Sequence, residues 1–212
     1  MSASYPITLY TADTPNGQKI SIFLKEAAID CEKVKFDLSA GRQHSADFLR
    51  INPNGKIPAI VDHEAGISVF ESAAILGYLS QKFECLQPDS SAVKLSVQQW
   101  LYFQVGAIGP MLGQLWWFLH GSTTRNEEAI ARYRKEALRI YGVVDKQLAS
   151  HSYLAGDEYS IADIAAFTWL RTHEELALDI TSYTHVVRWL AVIESRPAVQ
   201  AGLAESRNAP TD

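Results

Sequence analysis

Three short stretches of this 212-residue sequence hold groups able to bind an anion, an α-amino acid head group or an extended peptide. The first is Thr14-Pro15-Asn16-Gly17, between a strand-like run and a helix-like one. Taken alone it is a turn with a proline-favoured start. It also gathers a hydroxyl, an amide and several N–H groups at one helix end, and such donors could stabilise an anion. The second is Glu71-Ser72-Ala73-Ala74-Ile75, at the start of another helix. An acid and a serine there can simply cap it. Alternatively, Ser72 and the first helical N–H groups take a ligand carboxylate while Glu71 takes an ammonium, the two charges of an α-amino acid head group. The third is Asn52-Pro53-Asn54-Gly55-Lys56-Ile57-Pro58. Pro58 heads a predicted strand, where its missing N–H is a liability. A trans proline on an edge strand fits that spacing. A cis Ile57-Pro58 bond fits it equally, and would offer the Ile57 N–H and C=O to an extended peptide ligand.

Other stretches carry a more structural reading. Ser160-Ile161-Ala162-Asp163 is a capping box before an apolar helix. Trp116-Trp117-Phe118-Leu119-His120 offers aromatic surface to a second ligand, or packs in a helix core or dimer contact. Gly106, Gly109 and Gly113 with Pro110 are expected to interrupt a helix. Tyr10 lies on a predicted strand and belongs to the core. Cys31 and Cys85 are too few for a disulfide scaffold and fit a reducing compartment. The six histidines show no metal-ligand spacing, so no metal is expected.

The elements that must position these groups differ between the two ends of the chain. Residues 6–80 alternate strand and helix signals: Ile7-Thr8-Leu9-Tyr10, then a helix over 16–28, then a weak strand from Cys31 to Asp37. A helical turn at Ser45–Leu49, the paired runs Ile57–Asp62 and Ile67–Phe70, and a helix from Glu71 follow. That order predicts a mixed sheet with helices packed on it. Gln87-Pro88-Asp89-Ser90-Ser91 is polar and linker-like. Beyond it the chain reads as helices, over 127–149, 161–176 and 183–195 among others, with a polar, frayed tail from Ala204. The division expected is an α/β domain over 1–85, a linker over 86–94 and an all-α domain over 95–212. Apolar residues make up 47% and charged residues 20%, which are globular values. A net charge of −5 offers no footprint for nucleic acid or an anionic membrane. The N-terminus lacks the basic and apolar regions of a signal peptide, and no apolar run approaches roughly 18 residues. A cytoplasmic protein is expected.

Together these motifs resemble the cytosolic glutathione transferases, from Ile7 to about Leu203. I-P-A-I-V-D, F-E-S-A-A-I and S-I-A-D stand in that family's order and spacing. T-P-N-G-Q-K from Thr14, Q-W-L-Y-F-Q-V-G-A-I-G-P-M-L-G-Q from Gln99 and R-Y-R-K-E-A-L-R-I-Y from Arg132 are most similar to its nu-class and nitrogen-regulator-like branch. The resemblance implies a thioredoxin-like N-terminal domain, an all-helical C-terminal domain, a homodimer, and glutathione-dependent disulfide reduction, with conjugation or peroxidase activity as further outcomes. A disulfide or electrophilic small molecule would be the second substrate. It also implies roles. Ser72 and Glu71 hold the γ-glutamyl carboxylate and ammonium, and Ile57 before Pro58 pairs with the cysteinyl backbone. Lys56 and Gln43 reach the glycyl end, Arg132 adds positive charge, and Thr14 and Asn16 sit beside the sulfur. Many family members activate sulfur with Tyr, Ser or Cys near the first turn. Here those places hold Thr14 and Asn16, which excludes a protein–glutathione mixed disulfide at this turn. A glutathione-binding regulatory protein with little turnover is the alternative. The regulator relatives carry an Asn-rich extension that this sequence, beginning close to Ile7, does not display.

Overall fold

Alternation of apolar and small residues forms a central strand at Ile7–Thr11 (β1), with Ile7 and Leu9 fully buried. The computed structural model describes residues 5–208. Thr14 ends the turn after β1 and caps the helix Pro15–Glu26 (α1), where Pro15 is pre-set for the first helical turn. β2 (Glu32–Lys35) pairs parallel with β1, while β3 (Ala59–Asp62) pairs antiparallel with β1 and β4 (Ile67–Phe70) antiparallel with β3. The resulting order is β2-β1-β3-β4, a four-stranded mixed sheet. A short helix, α2 (Ala46–Ile51), precedes β3, and α3 (Ser72–Lys82) follows β4 directly. Register brings Tyr10 opposite Ala59, and its ring packs on Phe36 and Phe48 at 6.0 and 5.6 Å. Tyr10 is half-buried in this cluster, and its hydroxyl pKa is raised by burial and by the charge of Glu32.

The chain divides into two compact units. The first runs through Cys85 and includes the chain from Arg196 onward; the second is Leu86–Ser195. Sequence texture assigned everything after residue 94 to the helical domain. In the structure the last helix, Pro197–Ser206, packs on α1 within the first unit. A Cβ on Gly202 would lie 2.7 Å from the Ile22 backbone, so only glycine permits that approach. Lys35 Nζ donates to the Glu205 and Ser206 carbonyls at 2.9 and 2.8 Å and to that of Asn208, closing the helix end. Arg196 makes a two-pronged pair with Glu26 at 2.7 and 3.0 Å. Residues 204–206 are therefore helical and packed rather than frayed, while residues 209–212 lie outside the described range.

The second unit begins its first helix, α4 (Ser91–Phe103), inside the stretch expected to be linker. A wide turn over Gln104–Ile108 joins α4 to α5 (Gly109–Trp116), and a second over Trp117–Gly121 ends the run. The glycines and Pro110 do not interrupt the helix. The Gly109 N–H reaches the Gln104 carbonyl, five residues back, and the widened turn accommodates proline. At Gly109 and Gly113 the space is taken by a protein side chain, since Cβ atoms there would meet the Trp169 indole at 3.5 and 3.2 Å, while Gly106 faces open space. Then come α6 (Glu127–Leu148), α7 (Ile161–Leu170) and α8 (Thr184–Glu194), and α9 is the Pro197–Ser206 helix of the first unit. α7 is almost wholly buried, and its start carries the predicted capping box. Asp163 accepts from the Ser160 and Leu154 N–H groups and from Trp189 Nε1, at 3.0, 2.9 and 3.0 Å. Among the described residues no helix is long and apolar enough to cross a membrane.

Candidate functional site

The end of β1 and the start of α1 are forced together by Gly17. A Cβ there would fall 2.2 Å from the Ala12 carbonyl oxygen and 2.5 Å from Thr11 Oγ1. This close approach presents the first turn of α1 at the C-terminal end of the central strand β1, with Thr14 as N-cap. Thr14 Oγ1 accepts the Gly17 N–H at 3.1 Å. Its lone pair is thereby engaged in capping, and the hydroxyl proton is what it can give to a ligand.

Across from this turn, α3 begins with Glu71 in an unusual backbone conformation, φ 70° and ψ 118°. A glutamate at positive φ is strained, and such strain concentrates at binding sites. No side chain caps α3, so the capping reading of Glu71-Ser72 does not hold. Ser72 is buried instead, and its Oγ accepts from Lys19 Nζ at 3.0 Å. The same ammonium donates to Asn16 Oδ1 at 2.9 Å. Lys19 is 1% exposed, and burial pushes its pKa down from 10.5 to about 7, with the Glu71 charge pulling it back up. Asn16 and Ser72, singled out separately in the sequence, are thus joined through one cation.

Lys19 is the site residue that sequence reasoning missed. Its signal was present. It lies three residues after Asn16 and next to Ile20, on the face that also carries Phe23.

The remaining candidates form a neighbouring segment. The Ile57-Pro58 bond is cis and leads into β3. Asn52, buried, donates from Nδ2 to the Lys56 carbonyl at 2.5 Å and shapes the loop before it. Gly55, at φ 63°, lies against the Gln43 carbonyl, so the 43–44 turn and the Lys56 loop are adjacent. The Lys56 side chain is exposed. Gln43 turns its Nε2 back to the Leu38 carbonyl at 3.2 Å, while its Oε1 is buried without a hydrogen-bond partner. Arg132 stands exposed on α6, in the second unit. In that unit Trp116 and Trp117 are 42% and 47% exposed, while Phe118 stacks on Tyr133 at 5.6 Å.

No protein thiol competes for the chemistry of the first turn. Cys31 is pushed up to about 11, chiefly by burial, and Cys85 is also raised by burial. Among the described residues no group of three or more His, Cys, Asp or Glu could hold a metal ion.

The model of the glutathione S-transferase N-terminal domain matches residues 5–81, and that of the C-terminal domain matches residues 108–197. The disulfide-bond oxidoreductase YfcG of Escherichia coli (strain K12) is 43% identical over 206 residues, covering 95% of this chain and 96% of the relative. A glutathione transferase homolog from Lodderomyces elongisporus, crystallised with two glutathiones per subunit, superposes with a TM-score of 0.90 at 36% identity, covering 94% of this chain and 98% of the other. Ure2p in complex with glutathione superposes with a TM-score of 0.90 at 30% identity, covering 95% and 100%. With both domain models matched and relatives of this identity covered almost end to end, the chain belongs to the glutathione S-transferases.

Proposed function

We propose that this protein binds glutathione at the ends of α1 and α3 and uses its thiolate to reduce disulfides. The observation that carries the reading is the donor-rich first turn lacking any cysteine: Thr14 and Asn16 stand there, and the two protein thiols are held protonated elsewhere. Ser72 and the uncapped start of α3 take the γ-glutamyl carboxylate, and Glu71 takes its ammonium. Ile57 pairs through its backbone with the cysteinyl unit, and Lys56 and Gln43 serve the glycyl end.

The energetics suffice. A free thiol of pKa about 8.5 is only a few per cent ionised at neutral pH. Lowering that pKa by about two units takes roughly 2.7 kcal/mol. One charge-assisted hydrogen bond supplies roughly 1.5–3 kcal/mol and a helix N-terminus roughly 0.3–1 kcal/mol. The thiolate attacks one sulfur of the substrate disulfide, forming a glutathione mixed disulfide and expelling the other sulfur as a thiolate. A second glutathione thiolate attacks the glutathione sulfur of that mixed disulfide, giving oxidised glutathione and releasing the second substrate thiolate. Both leaving thiolates take up the protons that the two glutathiones gave up. The two glutathiones per subunit in the Lodderomyces homolog support a second thiol at the site. We further infer a cytoplasmic homodimer. Leu95 and Tyr102, 58% and 71% exposed on α4, are apolar surface of the kind a second copy covers.

The test is a panel of hydroxyethyl disulfide, chlorodinitrobenzene and cumene hydroperoxide with glutathione. Disulfide turnover well above the other two supports the reading. Tight glutathione binding without turnover would instead favour a regulatory role. An unchanged pKa of the bound thiol in Asn16→Ala would overturn the role given to Asn16.

A further inference from the structure

Lysine is a donor and never an acceptor while it is ionised. Asn16 and Ser72 must therefore both act as acceptors toward Lys19, through Oδ1 at 2.9 Å and Oγ at 3.0 Å. An asparagine whose oxygen is engaged this way has its orientation settled, and what remains of the amide is an NH2 donor. A serine whose lone pair is engaged has a hydroxyl proton to give. Both outcomes suit an anionic ligand. Without the lysine, the amide could turn over and set its carbonyl against a thiolate.

We propose that Lys19 is a positioning residue for thiol activation, its buried ammonium fixing Asn16 and Ser72 as donors toward the sulfur and the γ-glutamyl carboxylate. This rests on the glutathione-binding function proposed above. A lysine that merely ties α1 to α3 would support stability and leave the ionisation of a bound thiol untouched. Two features set Lys19 apart from such a tie. It is almost wholly buried, where an ammonium is costly, and it meets two of the residues that the ligand would meet, one at the sulfur and one at the γ-glutamyl carboxylate. The charged group acting on it is Glu71, from the start of α3, which favours the ionised form against burial. An incoming thiolate and carboxylate add to that effect, so ligand binding holds the proton on Lys19.

The experiment compares wild type, Lys19→Met, Asn16→Ala and the double variant. The apparent pKa of the bound glutathione thiol is followed by thiolate absorbance, alongside the KM for glutathione and the thermal midpoint. Lys19→Met is expected to raise the thiol pKa by about one unit and the KM about tenfold. In the Asn16→Ala background it should add almost nothing to the thiol shift, because it acts through that amide. An unchanged thiol pKa in folded Lys19→Met overturns the proposal, as does a full shift that persists without the Asn16 amide. Should Lys19→Met not fold, the wild-type complex decides by 13C-lysine NMR. An ammonium at neutral pH is expected, and a neutral amine, which can accept as well as donate, overturns the proposal. If wild type binds no glutathione, the proposed function fails and this inference with it. If wild type binds and turns over while Lys19→Met matches it, only the role of Lys19 falls.

Discussion

Replacing Gly17 by alanine sets two opposing effects against each other at the site's foundation. Inside an exposed helix this change is stabilising by about 1 kcal/mol, because alanine has the higher helix propensity. Here the new Cβ would lie 2.2 Å from the Ala12 oxygen and 2.5 Å from Thr11 Oγ1. Ordinary contacts are longer by about 1 Å, so the first turn of α1 must lift off the end of β1. Neither obstacle can give way cheaply. One is backbone, and its carbonyl also receives the Thr14 N–H at 2.9 Å. Overpacking of this kind costs up to about 3 kcal/mol, which leaves a net loss of about 2 kcal/mol. At about 2–4 °C per kcal/mol for a chain of this size, the midpoint falls by about 4–8 °C. The displaced turn carries Thr14 and Asn16 with it, so the KM for glutathione should rise along with the loss of stability. Urea denaturation and steady-state kinetics on the same preparation read both effects. A Gly17→Ala protein as stable as wild type, with unchanged KM, would refute the claim that this contact sets the turn.

Two further outcomes concern the frame rather than the site. Ser160→Ala removes the cap of α7 and should cost about 1–2 kcal/mol, with KM for glutathione unchanged, as thermal denaturation and kinetics together would read. Asp62 is fully buried; burial alone would raise its carboxyl pKa, but donors from Lys82, Tyr78 and the Ala65 N–H hold it at about 2. That value lies below the ordinary 3.8, so the stabilisation is present above about pH 4 and lost as pH falls through about 2. Asp62→Asn should cost about 3 kcal/mol at neutral pH and flatten this acid limb of the urea midpoint; an unchanged acid slope counts against the Lys82–Asp62 pair.

Elements with a strong local period were legible. β1, α1, β4, α6, α7 and α8 lie within a residue or two of their predicted spans, apart from the C-terminal end of α7. That segment continues as a tight turn over Arg171–His173 instead of an α-helix to 176. Local chemistry also announced the Ser160 capping box, because both partners lie within four residues. What depended on distant neighbours was not legible. α9 joins the first unit through Gly202 against Ile22 and through Lys35 against the carbonyls of residues 205, 206 and 208, none of which leaves a mark on the residues around 200. The glycines near 109 looked like breaks because glycine and proline are poor helix formers. Their use was the space they leave for Trp169, some sixty positions on by. Lys19 escaped for the same reason: a lysine in a helical stretch reads as solvent-facing until Ser72 is known to lie above it.

The site is best understood by asking where each lone pair goes. Thr14 gives its own to the Gly17 N–H, and Asn16 and Ser72 give theirs to Lys19. All three are thereby poised as donors from beneath, by contacts already present in the folded chain, and an incoming anion holds on Lys19 the proton that two of them depend on. An anion meeting them requires no reorganisation of those hydrogen bonds, which is the condition under which donors stabilise charge most effectively. The same arrangement explains why the protein can dispense with a cysteine of its own at this turn. Its thiols sit where burial keeps them protonated, while its donors sit beside Asp13, whose carboxylate accepts from Gln18 Nε2 at 2.9 Å, and the exposed Glu71. In the proposed complex a thiolate borrowed from glutathione meets these donors at the sulfur end, and a carboxylate meets them at the start of α3. The energetic cost is concentrated in a single buried ammonium, and a site that carries such a group has reason to use it.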